Sequence, residues 1–368
     1  VATWIEIEKE DLVKAIKVLE MIPMRSGTPS SDYIRILPTP KYLEMAMSSS
    51  VSAVLRVNCK GELGKGPYWI DRRLIVPFVL TGEKWKGGFS LAVEEGVVII
   101  KQGSRRAELF LRSDSVDGYG TWRDLKGMKD LKMTEDLKEL LLASNNCSTA
   151  DPALQHLMCV YVKGNQIFAT NQTVMFAGTS TDKSKVNIPF PIGIIPLLSQ
   201  GLVEGVIIEN NLVILDCGCG YIQGTVSAAA EKNFPRASIV TQMQRARKLP
   251  TIGKIPTIRL TKMLKRLSDY LVGMKREDWQ LKLEFGEGKL KAVVKVRQGS
   301  FEEKMDVENL KKEAEVEWPL ELVRPVLEYI GKNSDSGYLK VQVDEAKRTP
   351  YLLSGGGVAL LVARRTKK

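Results

Sequence analysis

The same kind of segment returns three times in 368 residues, at starts about 125 residues apart. Each copy opens on an amphipathic helix, then gives three strands, a second helix and further strands. Solenoid repeats run about 20–50 residues, so this period is domain-sized. The sharpest copy is Ile258 to Leu271. Leu260, Met263, Leu264, Leu267 and Leu271 recur there at helical spacing, with Lys262, Lys265, Arg266 and Asp269 opposite. In the first copy, Glu8 to Leu19, the stripe is Leu12, Val13, Ile16 and Leu19, and Lys14 and Lys17 face away. The second, Thr134 to Asn145, has Leu137, Leu140 and Leu141, with Thr134 placed as an N-cap and Glu135 and Asp136 in the first turn.

The second helices are expected at Asp71 to Leu80, carrying Arg72 and Arg73, at Pro191 to Gln200, and at Pro319 to Ile330 with proline in the first turn. Between helices the sequence alternates with period two, as in Tyr42-Leu43-Glu44-Met45-Ala46-Met47 and Gln280-Leu281-Lys282-Leu283-Glu284-Phe285. Asn210-Asn211 and Gly355-Gly356-Gly357 read as hairpin turns. Polar stretches with Gly or Pro, Ser113 to Met133 and Phe234 to Pro256, read as linkers. They place three domains at residues 1–120, 121–248 and 249–368.

Net charge is +11, and the last third holds most of it, with 24 basic against 17 acidic residues after Lys248. A positive balance favours an acidic partner, nucleic acid foremost. No run approaches 18 apolar residues, and Val1 to Glu6 has no secretory pattern, so no membrane role is expected. Five scattered cysteines, including Cys217 and Cys219, read as reduced and structural, which points to the cytoplasm. A single histidine, His156, leaves little for zinc or for a Ser-His system. Gly61 to Pro67 contains Gly-Lys but lacks the phosphate-loop spacing. No cofactor and no catalysis are expected; a metal-dependent nuclease would need carboxylates grouped at strand ends.

Six amphipathic helices on antiparallel sheets fit an α+β architecture with helices on one surface and strands behind. Three like domains in an arc, closed by a second chain, would make a ring without free sheet edges. Its helix faces would carry Lys14, Lys17, Arg72, Arg73, Lys262, Lys265, Arg266 and Arg324. A positive channel without base-reading groups holds duplex by its phosphates, without sequence preference.

The order of elements resembles the bacterial DNA polymerase III beta-subunit sliding clamp family. The landmarks are Ile5 to Leu12, Gln166 to Asn171, Phe234-Pro235 and the close Leu352 to Arg365. The resemblance implies a head-to-tail homodimer around double-stranded DNA, placed by a clamp loader and tethering the replicative DNA polymerase. It implies DNA contact at Arg25 and the loop Asn146-Cys147-Ser148, and a subunit contact at Leu109, Leu111, Tyr270 and Leu271. It also implies a cleft for partner peptides at Leu154 or its neighbour Ala153, Thr170, Gln172, Thr173, Val174, Met175, Pro235, Val240, Leu360, Leu361, Val362 and Ala363. The sequence departs from the family at Asn171-Gln172-Thr173-Val174, in its tail Ala363 to Lys368 and in its basic charge. These departures point to a divergent member, as a virus-borne copy would be. The competing reading is a basic nucleic-acid-binding protein that forms no ring.

Overall fold

The computed structural model describes residues 3–24, 28–128, 130–131, 133–181, 186–271, 280–296, 299–311, 313–333, 337–342, 351–355 and 358–362. The first third runs β1 (Trp4–Ile7), α1 (Lys9–Met21), α2 (Pro29–Asp32), β2 (Tyr33–Pro38), β3 (Tyr42–Ser48), β4 (Ser52–Lys60), β5 (Tyr68–Asp71), α3 (Arg72–Gly82), β6 (Phe89–Glu94), β7 (Val97–Gln102) and β8 (Arg105–Phe110). The middle third runs α4 (Glu135–Asn145), a 3-10 turn at Pro152–Leu157, β9 (Cys159–Lys163), β10 (Gln166–Thr170), β11 (Val174–Thr179), β12 (Asn187–Pro191), a 3-10 turn at Ile195–Ser199, β13 (Gly205–Glu209), β14 (Leu212–Asp216) and β15 (Gly220–Thr225). The last runs α5 (Ala228–Asn233), α6 (Arg236–Arg247), β16 (Thr251–Pro256), α7 (Thr257–Asp269), β17 (Gln280–Gly286), β18 (Lys289–Val296), β19 (Gly299–Asp306), β20 (Ala314–Pro319), α8 (Leu320–Asn333), β21 (Tyr338–Gln342), β22 (Tyr351–Gly355) and β23 (Val358–Val362).

The fold is α+β, and the pairings between these strands are antiparallel. The chain packs as two compact units, one of Val1–Lys132 with Leu197–Thr225, the other of Met133–Pro196 with Val226–Lys368. In the first, one sheet runs β13-β14-β15-β4-β1-β6-β7-β8, with β3, β2 and β5 branching from β4. In the second, one sheet runs β12-β9-β10-β11-β23-β22-β21-β16, and a separate one runs β19-β18-β17-β20. The middle third is thus shared: β15 continues the sheet of the first third, and β11 pairs with β23 of the last.

α1, α4 and α7 bury their expected stripes, whereas in α3 Ile75 and Val79 are buried and Leu74 is exposed. Leu12, Val13, Ile16 and Leu19 of α1 are buried where it packs on α3 and β4. Leu260, Met263, Leu264, Leu267 and the adjoining Leu271 are buried beneath α7, which packs on α8. Full burial of a Leu-sized side chain is worth about 1.5–3 kcal/mol, so these stripes dominate helix placement. Gly331 lets α8 come close to α7, since a Cβ there would sit 3.1 Å from Thr257 Cγ2 and from Thr261 Oγ1.

Three expectations change. The helix at Pro191 to Gln200 is only the 3-10 turn Ile195–Ser199. Pro191 ends β12, and Gly193 and Pro196 oppose a regular α-helix there. Pro319 closes β20, and α8 starts at Leu320 and continues to Asn333. The stretch Phe234 to Pro256 is no loose linker: it holds α6 and β16, because Ile239, Met243 and Ala246 make a buried stripe.

Nor does the segment after Ser113 hang free. Tyr119, Trp122, Leu125 and Met128 pack on the buried Ala46, Val54, Ile207, Ile214 and Tyr221, a cluster spanning the β4–β15 seam. Arg56 lies between Tyr42 and Trp122, its guanidinium carbon 4.1 and 3.9 Å from the ring centres. Arg35 bonds Glu44 at 2.9 Å and the Gly120 carbonyl at 3.0 Å, and Tyr221 donates to the Thr121 carbonyl at 2.5 Å. Cation–π contacts add about 0.5–2 kcal/mol to the area buried. Trp122→Ala is expected to lower stability by about 2–4 kcal/mol, read by urea unfolding, and to expose the 119–128 segment to protease.

In the second unit Asp136 joins α4 to α8. It accepts from Ser180 Oγ at 2.7 Å, Thr181 N at 2.7 Å and Tyr329 Oη at 2.7 Å. Partial burial pushes its pKa up, but the bonds from Ser180, Tyr329 and Thr181 together outweigh that and hold it below the ordinary 3.8. A depressed carboxyl stabilises the fold above its unfolded pKa and ceases to do so as pH falls through the folded one. Asp136→Asn is therefore expected to cost about 1–3 kcal/mol at pH 7. The difference should shrink as pH falls below the ordinary carboxyl pKa of 3.8 and through the lowered folded one, measured by urea unfolding across pH.

Candidate nucleic-acid face and partner cleft

The expected cationic positions sort into three groups. The first is neutralised within the chain. Lys14 bonds Glu204 at 2.7 Å and Lys17 bonds Glu83 at 2.7 Å. Arg73 pairs with Asp71, its own helix N-cap, at 2.6 Å, and Arg324 pairs with Glu328 one turn on at 2.8 Å. Arg266 grips Glu303 of β19 through two nitrogens, the shortest contact being 2.5 Å. The Glu204 bond raises the Lys14 pKa against modest desolvation.

The second group is buried, which corrects the expectation for Arg72. It is 7% exposed and donates to the Ile22 carbonyl at 2.5 Å and to the Glu20 carbonyl. Those carbonyls end α1 and lack helical donors, so Arg72 serves as a C-terminal cap delivered from α3. Burial lowers its pKa, with Glu20 and Asp32 opposing.

The third group is exposed. Lys262 and Lys265 lie on the solvent side of α7 with no carboxylate partner among the described residues. Arg259, which the sequence reading passed over, stands exposed one turn before Lys262. Its signal was the i, i+3 spacing to Lys262. Among the first helices of the three thirds, the open positive face thus rests on α7, while α4 offers only Lys138, already bonded to Glu135 at 3.4 Å. Arg25 lies outside the described residues. Asn146, Cys147 and Ser148 follow α4, where Cys147 is buried and Ser148 donates to the Cys159 carbonyl.

The cleft positions belong to the second unit. Leu154 is half-buried in the Pro152–Leu157 turn, with Ala153 exposed beside it. Asn171 to Val174 forms a tight turn in which Asn171 Oδ1 accepts from Thr173 N and Val174 N, and Gln172 takes φ +74°. Thr170 and Val174 are buried; Gln172 is exposed, and Thr173 and Met175 are half-buried. The backbone of β23 pairs Val362, Leu361 and Leu360 with Val174, Met175 and Phe176. Pro235 and Val240 are half-buried at the start of α6, which packs on β11, β22 and β23. Ala363 lies outside the described residues. Thus β10, β11, β23 and α6 are contiguous, and the 3-10 turn leads into β9 of the same sheet.

The subunit-contact positions change in part. Leu109 and Leu271 are buried within their own units, and Leu111 bridges to Ile70. Tyr270 is 54% exposed and stacks on Phe301 of β19 at 5.1 Å. Phe110, 79% exposed on the edge strand β8, was missed. The unbroken apolar run Leu109-Phe110-Leu111 hid which residue faces out. A cavity of about 600 Å³ on the first unit, lined by Glu94, Arg106 and Glu108 among others, is remote in sequence from all these positions.

No family model and no curated protein matches the sequence. Solved structures do match, over the full length. The DNA polymerase sliding clamp of Bacillus subtilis aligns with a TM-score of 0.70 at 15% identity, covering 100% of both chains. The DNA polymerase III beta subunit of Thermotoga maritima gives 0.70 at 13%, over 99% of this chain and 100% of that one. The sliding clamp of Bartonella birtlesii, solved bound to griselimycin, gives 0.67 at 16% over 100% of both. The chain therefore has the fold of the DNA polymerase III beta-subunit sliding clamps.

Lys262→Glu with Lys265→Glu is expected to weaken duplex binding at least tenfold at low salt and to flatten its salt dependence by about two counterions. Arg73→Glu should change binding little. Arg72→Met should leave DNA affinity alone but cost about 2–4 kcal/mol of stability. Filter binding over a salt series and urea unfolding separate the three.

Proposed function

We propose that this chain is a divergent sliding clamp. It would encircle duplex DNA as a head-to-tail homodimer, tether the replicative polymerase and be placed by a clamp loader, without catalysis of its own. The observation that carries the reading is the full-length clamp fold with an unneutralised cationic face on α7. Three domains, residues 1–120, 121–248 and 249–368, would form half of the ring. A face that meets phosphates through a few lysines, with no base-reading groups, suits sliding better than specific binding.

The edge strands support closure. In the first unit β8 is the last strand of its sheet path and presents Phe110; in the second, β19 is an outer strand and presents Phe301 with Tyr270. Two aromatic edges on one chain fit a heterologous contact between copies, which closes into a ring when the rotation permits.

The test compares retention on circular and linear duplex. After loading onto nicked plasmid, the protein should co-elute with the circle and leave when the plasmid is linearised. Light scattering should give a mass near 82 kDa, about twice the 41.0 kDa chain. Equal retention on both DNA forms, with a monomeric mass, would instead establish the non-ring basic protein. Phe110→Asp should yield monomer and abolish retention on the circle.

A further inference from the structure

The turn that leads from α3 into β6 carries an aromatic ring that packing does not require. It reads Gly82-Glu83-Lys84-Trp85-Lys86-Gly87-Gly88, and every residue of it after Gly82 is exposed. Trp85 is 48% exposed, although an indole is among the largest apolar groups a chain can bury. Lys84 and Lys86 flank it, and neither has a carboxylate partner among the described residues. Glu83, the one acid of the turn, is taken up by Lys17 at 2.7 Å. Cations beyond the end of a helix offset its dipole, which accounts for the lysines in part. It does not account for an indole left in water between them.

The turn is held firmly from below. Gln102, 1% exposed, donates through Nε2 to the Gly82 carbonyl at 2.9 Å and the Gly87 carbonyl at 3.3 Å, tying both ends of the turn to β7. Lys9 Nζ reaches the Trp85 carbonyl from α1 at 3.5 Å. Arg105 donates to the Phe78 carbonyl at 2.9 Å, to Thr81 Oγ1 at 2.7 Å and to Gln102 Oε1 at 3.0 Å, all uncharged acceptors. Its guanidinium carbon lies 4.4 Å from the centre of the Phe78 ring and 5.5 Å from that of Trp85. Three cations thus surround one indole, and hydrogen bonds fix the arginine and the backbone that carries the ring. Such preorganisation lowers the ordering cost of binding.

We propose that this turn binds single-stranded nucleic acid, with an unpaired base stacked on the Trp85 indole and the adjacent phosphates at Lys84 and Lys86. Every base has a planar π face, so stacking on an aromatic side chain tolerates any sequence. Lysines on either side of the ring match phosphates on either side of a base. A duplex keeps its base faces inside its own stack, so this site selects unpaired strand. It lies in the first unit and is independent of the duplex reading of α7, which belongs to the second. An apolar protein contact fits the turn less well, because it would bury cations that have no carboxylate to meet them.

The experiment uses the full chain and two fluorescent twelve-nucleotide strands. One is oligothymidylate; the other is its abasic counterpart, which keeps the phosphates and lacks the bases. Anisotropy at 50 mM salt is expected to give at least tenfold tighter binding of oligothymidylate. Trp85→Ala should remove that preference, and Trp85→Phe should keep most of it. Lys84→Gln with Lys86→Gln should weaken binding of both strands and lower the salt slope by about 1.4, about 0.7 for each phosphate. An oligouridylate of the same length then decides between DNA and RNA as the strand. Equal binding of the thymidylate and abasic strands, binding of neither, or a preference that survives Trp85→Ala would overturn the proposal. So would a lower mass of Trp85→Ala in light scattering, which would assign the ring to a contact between copies of the chain.

Discussion

Antiparallel hydrogen bonding at two seams organises everything else in this molecule. At one, β15 aligns Gly220 to Gln223 against Leu55 to Ser52; at the other, β11 aligns Val174 to Ala177 against Val362 to Ala359. Both join segments more than 160 residues apart in the chain. Each removes two strand edges that would otherwise invite pairing with foreign chains. The consequence is a middle third divided between two compact units, so the covalent period and the packing period differ. The 119–128 segment reinforces the first seam with Trp122 and Tyr221, and Arg56 lies against Trp122. The connector thus acts as a side-chain seal over the strands it follows.

Charge is distributed with similar economy. The composition announces +11, yet Lys14, Lys17, Arg73, Arg266 and Arg324, five of the expected cations, are bonded to carboxylates of the same chain. A neutralised lysine still holds helices in place but contributes little long-range attraction. Of the expected positions, what remains open is Lys262 and Lys265 on α7, with Arg259 beside them. On the proposed function, few phosphate contacts would mean a shallow binding free energy, and shallow binding permits translation along a duplex. Closure around the DNA would then supply retention that affinity does not.

The sequence made most helix stripes and the strands legible, because each follows from periodicity along a local stretch. It could not show which cations were free. Glu204 is 190 positions from Lys14 and Glu303 is 37 from Arg266, and no local pattern links such partners. Arg72 was misread for a related reason: its neighbour Arg73 is exposed, and only the α1 carbonyls it caps explain why Arg72 turns inward. The 234–256 stretch looked like a linker because its arginines masked the buried triplet Ile239, Met243 and Ala246. The resemblance placed Leu109 and Leu271 in a subunit contact, yet both side chains are buried within their own units.

Sheet alternation separates the two faces of β11 in the second unit. A Cβ on Gly178 would lie 3.0 Å from Leu140 of α4, so Val174, Phe176 and Gly178 face the helix layer, and all three are buried. Met175 and Ala177 then point to the opposite face and are half-buried. That helix layer continues from α4 through α8 to α7, the cationic element. On the proposed function, a partner seated over Met175 would be screened from a duplex lying against α7 by the thickness of one β-sheet. The two would be held by different layers and need not compete, and a tether that holds its partner while its DNA moves requires that independence.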